Sequence, residues 1–111
     1  MIFPCSGGSD VGALADLAAR QMTRDGSSKM YCLAGIGGRV SGILASTEIA
    51  AKILAIDGCP LNCAKKTLEL AGFSGFEHLV LANVGFQKSQ SPATPENVAK
   101  VVQAAAPKLA C

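Results

Sequence analysis

Four cysteines stand at or just after short apolar segments, and they offer more chemistry than any other residues of the chain: Cys5, Cys32, Cys59 and Cys63. Thiolates are preferred ligands of tetrahedral zinc, and they are also the reactive groups of thiol redox centres. Cys59 and Cys63 lie four residues apart, where an apolar run gives way to a helical pattern, so both sulfurs can point to one place. Because a zinc–sulfur bond is ~2.3 Å long, tetrahedral thiolates must lie within about 4 Å of one another. The pattern predicts a zinc site or a thiol redox centre, if the fold brings these residues together.

Length and composition favour one packed domain over residues 1–111. Half of the 111 residues are hydrophobic and only 16% are charged, which is typical of a globular core and not of disorder. The net charge of +2 is scattered rather than clustered, so a nucleic-acid partner is disfavoured. No apolar stretch approaches the ~20 residues of a membrane helix, so we expect no membrane partner.

The cysteine count and the lack of a visible secretory segment predict a cytoplasmic protein, because thiols stay reduced in that compartment. Five cysteines in such a setting indicate metal or redox use rather than a disulfide framework. We assign no role to the fifth, Cys111, because it is the terminal residue.

Apolar runs and helical periodicity predict four strands and four helices in alternation. The predicted strands cover residues 2–4, 29–34, 53–56 and 78–84. Four helices are predicted. The first follows Ser9 and ends at Gly26, the second covers residues 40–51, the third runs from Pro60 to Gly72, and the fourth runs from Thr94 to Pro107. Such alternation is typical of a parallel sheet with helices on both faces. We therefore predict a small three-layer α/β/α domain with a four-stranded parallel sheet of order 2-1-3-4, similar to a shortened flavodoxin- or Rossmann-like sheet.

In such a sheet Cys5, Cys32 and Cys59 all fall at or just past the carboxyl ends of strands, where the crevice of these folds opens. Helices that begin near Ser9 and Pro60 would direct partial positive charge and free N–H groups toward that edge. A zinc ion with four thiolates carries a formal charge of about −2, which such groups would offset.

Four further polar side chains lie at the ends of predicted strands or in the loops that follow them. Lys88 and Arg39, in loops after the fourth and second predicted strands, are candidate donors around a thiolate cluster. Asp57 ends a buried strand, where accepting hydrogen bonds from the next turn is favoured over an acid–base role. His78 begins the fourth predicted strand and is expected to be an ordinary or satisfied histidine, away from the cysteines. No Ser/His/Asp triad or pair of carboxylates can be assembled, so no enzymatic activity is assigned.

Three segments together resemble the DGC domain family: residues 5–12, 30–37 and 57–66, the last containing Asp57-Gly58-Cys59. The resemblance covers nearly the whole chain. Members of that family are described as zinc-binding because they carry four potential chelating cysteines, and these correspond here to Cys5, Cys32, Cys59 and Cys63. The family has no established reaction, so the resemblance implies a metal site and leaves the activity open.

Two functions from different classes follow. The first is a small cytoplasmic zinc-binding protein whose four-cysteine site lies at the carboxyl edge of the sheet. The second is a thiol-dependent redox or sulfur-transfer enzyme, with Cys59 or Cys5 as nucleophile and Cys63 as the resolving thiol. Zinc is the expected ligand. A homodimer is one way to cover the edge strands of so small a sheet, although no residue pattern selects the surface.

Overall fold

Three short parallel strands form the sheet in the computed structural model, which describes residues 1–110. The strands are β1 (Ile2–Pro4), β2 (Leu54–Asp57) and β3 (Glu77–Val80), and they lie in the order β1-β2-β3. Every residue of β1 and β2 is buried, as expected for parallel strands that are covered on both faces. Cys111, to which the sequence assigns no role, lies outside the described residues.

Within the described residues, five α-helices and one 3₁₀ helix connect and follow the strands. They are α1 (Asp10–Arg24), α2 (Leu33–Gly37), α3 (Ser41–Glu48), α4 (Cys63–Leu70), the 3₁₀ helix Leu81–Val84, and α5 (Pro95–Leu109). Ser9 caps α1, as predicted, by accepting a hydrogen bond of 3.2 Å from the N–H of Gly12. Within residues 1–110 no helix combines the length and the apolar character that crossing a membrane takes.

The helices lie on both faces of the sheet because side chains alternate along each strand. Helices α1 and α5 pack on one face, against Ile2, Leu54 and Ile56. Helices α2, α3 and α4 cover the other face, where the core contains Phe3 and Ala55. The site described below lies at the carboxyl edge between these two layers.

The predicted four-stranded sheet of order 2-1-3-4 is wrong, because the segment predicted as the second strand forms only one bridge, between Met30 and Ile2. On either side of Met30, the carbonyl of Lys29 and the N–H of Tyr31 pair with the backbone of Ile2. The chain then turns, since the carbonyl of Cys32 accepts hydrogen bonds from the first turn of α2. A short apolar run fits a buried helix as well as a buried strand, and here Ile36 of α2 is buried in the core beside β1.

Other boundaries also differ from the prediction. The fourth predicted strand ends at Val80, after which the chain continues as the 3₁₀ helix. The helix predicted over residues 40–51 is the shorter α3, and α2 precedes it. Pro60 lies in a turn before α4 rather than in its first turn. Pro107 does not end the last helix, which continues for two residues to Leu109 although the proline cannot donate an i→i−4 hydrogen bond.

Gly12 and Gly58 allow the loops after β1 and β2 to pass against helix α1 where a side chain has no room. A Cβ at Gly58 would lie 2.7 Å from the backbone carbon of Val11 and 2.9 Å from the nitrogen of Gly12. A Cβ at Gly12 would lie 2.6 Å from the carbonyl oxygen of Gly7. Most of these neighbours are backbone atoms, which cannot rotate away, and the exception is Cγ2 of Val11, 2.8 Å from a Cβ at Gly58. The two loops and the first turn of α1 therefore pack as one rigid unit.

This packing predicts that Gly58→Ala lowers the free energy of unfolding by about 1–3 kcal/mol, because the added methyl group forces backbone atoms apart. Urea unfolding followed by circular dichroism measures the change. Gly42→Ala is the matched control, because a Cβ there meets no atom within 4 Å and residue 42 lies inside helix α3. The control should be stabilised by about 0.5–1 kcal/mol through helix propensity. Equal stability of the two variants would contradict the close packing.

Candidate functional site

Three thiols lie where β1 and β2 end. Cys5 directly follows β1, and its N–H extends the parallel ladder by donating to the carbonyl of Ile56 at 2.9 Å. Cys59 lies two residues beyond β2, and Cys63 is the first residue of α4. The carboxyl ends of two adjacent parallel strands thus bring Cys5 and Cys59 to the same edge of the sheet.

One cavity of about 490 Å³ contains all three of these cysteines in its wall. Its lining consists of Cys5, Gly7, Gly8, Ser9, Gly58, Cys59, Leu61, Cys63 and Lys88. Lys88 supplies the one charged side chain in this lining. We call it the thiol cavity. Three of the four predicted site cysteines therefore share one space with a single cation.

Cys32 lies beside the thiol cavity rather than in its wall. It is the residue before α2, it is exposed, and it lines a second cavity of about 500 Å³. Cys5 lines this second cavity as well, so the two spaces share a wall. The exposure of Cys32 also excludes the simple alternative that it is a small hydrophobic residue of the core.

The four thiols are chemically suited to zinc but do not form a preassembled site. Cys5, Cys32, Cys59 and Cys63 are all free cysteines. Within residues 1–110, however, no three His, Cys, Asp or Glu side chains are grouped closely enough to hold a metal ion. Since zinc requires thiolates within about 4 Å of one another, metal binding must draw these side chains together. The cysteine thiolates are suitable ligands for zinc, but their side chains must move closer together to bind it.

The helix N-termini at this edge are already occupied by side chains of the chain itself. Asp57 is buried, and its carboxylate accepts hydrogen bonds from the N–H groups of Ala64 at 2.7 Å and Lys65 at 3.1 Å, in the first turn of α4. In α1, Ser9 and Asp10 accept from the first turn in the same way. The capping role predicted for Asp57 is confirmed. The free N–H groups expected to face the thiols are, at these positions, satisfied by oxygen atoms.

His78 contacts Asp57, a pairing that the sequence alone did not predict. Its Nε2 lies 2.8 Å from Oδ2 of Asp57, and because a carboxylate only accepts, Nε2 is the ring nitrogen that carries hydrogen. The register pairs His78 with Ala55 and Asp57 with Val80, so the two side chains are diagonal neighbours on one face of the sheet. His78 is thus satisfied, as expected, but it lies nearer the cysteine-bearing edge than its place in the chain suggested. Only the β2–β3 register could have revealed this contact.

The loop that carries Lys88 is tied to the start of α1 by Asp10. The carboxylate of Asp10 accepts hydrogen bonds from the N–H groups of Ser89 at 2.9 Å and Ser91 at 3.0 Å. This anchor, which no sequence signal indicated, holds Lys88 at the rim of the thiol cavity, where the sequence predicted a donor. The corresponding prediction for Arg39 is wrong. Its guanidinium donates to backbone carbonyls of α2 and to that of Leu70, away from the cysteines.

These backbone hydrogen bonds hold the pKa of Asp10 below its ordinary value, the bond from Ser89 having the largest effect and that from Ser91 the next. The folded pKa is thus lower than the unfolded one. The contribution of Asp10 to the free energy of unfolding is therefore fully present above its pKa in the unfolded chain. That contribution is lost as the pH falls through its pKa in the folded protein.

Replacement of Asp57 should cost more stability than loss of an ordinary helix cap. Asp57→Ala leaves two N–H groups of α4 and the ring of His78 without an acceptor, so we expect a loss of about 2–4 kcal/mol in the free energy of unfolding. Thr94→Ala is the matched control, because Thr94 caps α5 through one hydrogen bond of 3.3 Å to the N–H of Asn97, and about 1 kcal/mol is expected there. Urea unfolding compares them. An equal cost would show that the Asp57 contacts add nothing beyond one cap.

The Asp10 anchor predicts a pH-dependent loop. Amide hydrogen exchange measured by NMR should show Ser89 and Ser91 protected at neutral pH and down to the ordinary carboxyl pKa, with protection lost only below it. Asp10→Asn should remove much of this protection already at neutral pH. Asp25→Asn is the control, since the carboxylate of Asp25 accepts from the side chain of Gln21 within α1 and not from the distant loop. Unchanged exchange in Asp10→Asn would contradict the anchor.

Comparison with known proteins gives the chain a family. A family model described as the DGC domain matches residues 1–105. The chain is 36% identical over 88 residues to the anaerobic and virulence modulator AnvM of Pseudomonas aeruginosa, and the alignment covers 79% of this chain and 67% of that protein. No solved structure matches. Since the family model covers nearly all of the chain, the resemblance seen in the sequence is confirmed, and the protein belongs to the DGC domain family.

Proposed function

We propose that this protein binds one zinc ion through the thiols of Cys5, Cys32, Cys59 and Cys63. The observation that carries the proposal is the thiol cavity, in which three free cysteines from two loops and one helix share a wall with a single lysine. Zinc bound by four thiolates would supply folding free energy, as in other closed sites of this type.

The four cysteines would contribute unequally. The loops of Cys5 and Cys59 pack against α1 at Gly12 and Gly58, where backbone atoms leave no space for a side chain. Cys32 is exposed and precedes a helix of five residues, so it has less packing to lose than the half-buried Cys5 and Cys59. We therefore assign the adjustment that brings the thiols together chiefly to Cys32 and α2.

Charge compensation supports a role for Lys88 at this site. A four-thiolate zinc site carries a formal charge of about −2, and the nearest N–H groups of α4 are taken by Asp57. Lys88 is the one cation in the lining of the thiol cavity, and the Asp10 anchor holds its loop there. Its ammonium group is thus the group available to offset the negative charge.

A binding role in the reducing cytoplasm agrees with the residues present. Free thiols persist in that compartment, where glutathione and thioredoxin keep cysteines reduced. The relative from Pseudomonas aeruginosa is named as a modulator, and that name describes regulation rather than a reaction. A homodimer, proposed from the short sheet, remains compatible with such a role.

The alternative is a thiol-dependent redox or sulfur-transfer enzyme, favoured by the presence of Cys59 and Cys63 in one cavity. In that case Cys59 or Cys5 would be the nucleophile and Cys63 the resolving thiol. The reduced protein should bind zinc under the first function and should contain a rapidly alkylated cysteine instead under the second. One set of measurements therefore separates the two functions.

Metal analysis of the full chain, purified without oxygen and with a reductant, tests the proposal. We expect about one zinc per chain, and cobalt substitution should give the charge-transfer absorption of thiolate ligands. Cys59→Ser should weaken zinc binding by more than roughly a hundredfold and lower the melting temperature. Cys111→Ser is the matched control, since it removes the one cysteine outside the predicted ligand set and should leave both values unchanged.

Cys32→Ser distinguishes four ligands from three. If Cys32 is a ligand, its variant resembles Cys59→Ser in affinity and in cobalt spectrum. If the site uses only the three thiols of the cavity, Cys32→Ser keeps a thiolate–cobalt spectrum. Protein without zinc, without cobalt–thiolate absorption, and with a single rapidly alkylated cysteine would overturn the proposal in favour of the enzyme.

A further inference from the structure

A further cleft adjoins the second cavity, with which it shares Arg20, Met30, Tyr31 and Cys32. It lies between α1, the segment that bridges to β1, and α3. It has a volume of about 620 Å³ and is lined by Arg20, Thr23, Arg24, Lys29, Met30, Tyr31, Cys32 and Ile43. Pockets of about 300–1,000 Å³ with mainly apolar walls and a few polar groups are typical of small-molecule sites. We call this the cationic cleft. It shares Cys32, but neither Cys59 nor Cys63, with the proposed zinc site.

The charge of this cleft has one sign. Arg20, Arg24 and Lys29 all contribute to its lining, and no carboxylate of residues 1–110 does. Arg20 uses its Nε to pair with Asp16 at 2.6 Å, outside the cleft, which leaves its terminal nitrogens available. Lys29 makes no ion pair or side-chain hydrogen bond within residues 1–110. Since Arg24 and Lys29 are exposed, a neutral occupant would displace water from these cations without replacing its hydrogen bonds.

The apolar walls of the cleft are held by the fold and need no ligand to form. The ring of Tyr31 packs edge-on against the buried Phe3, with ring centroids 6.1 Å apart. The N–H of Met30 donates to the hydroxyl of Thr23 at 2.8 Å, which ties the bridging segment to α1. A preformed apolar surface below a cationic rim is suited to a molecule that has an apolar body and an anionic group.

We propose that the cationic cleft binds a small organic anion, a carboxylate, sulfonate or phosphate carried on an apolar or aromatic body. The body packs on Met30, Tyr31 and Ile43, and the anionic group lies against the guanidinium of Arg24 and the ammonium of Lys29. Charge-assisted hydrogen bonds from such groups are stronger than neutral ones, so they select anions over neutral molecules of the same shape. A bound anion also covers one side of Cys32, which lines the cleft.

Anilinonaphthalene sulfonate is a suitable probe, because it joins an aromatic body to one negative charge. Titration into the full chain, reduced and stripped of metal, should show one saturable site by fluorescence. Footprinting with iodoacetamide, a neutral reagent, locates that site by mass spectrometry. At ten times the dissociation constant, alkylation of Cys32 should slow severalfold, up to the limit of about tenfold that the occupancy sets, because the bound anion covers one side of this thiol. Cys63 is also exposed but lies outside the cleft, and its alkylation rate should not change.

Two comparisons test the charge requirement. The double variant Arg24→Gln with Lys29→Gln should bind the probe at least about tenfold more weakly, because two charge-assisted contacts are lost. The control double variant Lys66→Gln with Lys100→Gln makes the same change in net charge at exposed positions outside the cleft, and should bind normally. The neutral analogue phenylnaphthylamine should bind the wild-type protein at least about tenfold more weakly than the sulfonate.

Equal protection of Cys32 and Cys63, or no protection of Cys32, would overturn the location of the site. Equal affinity for the neutral analogue, or equal weakening in both double variants, would overturn the ligand class. Circular dichroism first establishes that the metal-free protein is folded, since the proposed zinc site would contribute to folding. Anion binding and zinc binding are then measured separately, so either proposal can fail alone.

Discussion

The close approach of the β2–α4 loop to the first turn of α1 is the constraint on which this edge of the molecule depends. Gly58 lies against the backbone of Val11 and Gly12, and Gly12 in turn lies against the loop that follows β1. With no side chain at either position, two loops from adjacent strands can occupy the same corner. Cys5 and Cys59 belong to these loops, so their proximity is set by backbone packing rather than by contact between the thiols.

A second constraint is electrostatic, and it decides which negatively charged groups the helix N-termini contact. A helix N-terminus attracts negative charge, and a thiolate cluster is one candidate to receive it. In this fold the carboxylates of Asp57 and Asp10 have taken that role, at α4 and α1 respectively. These N-terminal N–H groups therefore have acceptors without a metal site beside them. Positive charge for the thiol cavity comes instead from Lys88, on a loop that Asp10 also holds.

Cys32 lies between two adjoining spaces on the surface. One side faces the cavity that it shares with Cys5, and the other faces the cationic cleft; Arg20, Met30 and Tyr31 also line both spaces. Cys32 lies where a single β-bridge ends and a short helix begins, and its side chain is exposed whereas that of Cys5 is half-buried. A residue with these properties is well placed to respond to whatever occupies either space, because a ligand shifts an equilibrium only through contacts that differ between its states.

The amino-acid sequence by itself determined the family, the buried strand β1, the cap of α1 at Ser9 and the capping role of Asp57, because each depends on neighbours close along the chain. It also indicated which cysteines approach the sheet edge, since apolar runs mark the strands that precede them. Only the tertiary structure decided that residues 29–34 make one bridge and then begin a helix, and that His78 contacts Asp57. It also decided that Asp10 anchors the Lys88 loop and that Cys32 lies outside the cavity that the other three thiols share. These features depend on strand register and on packing between residues distant in sequence, and a local pattern contains no information about either.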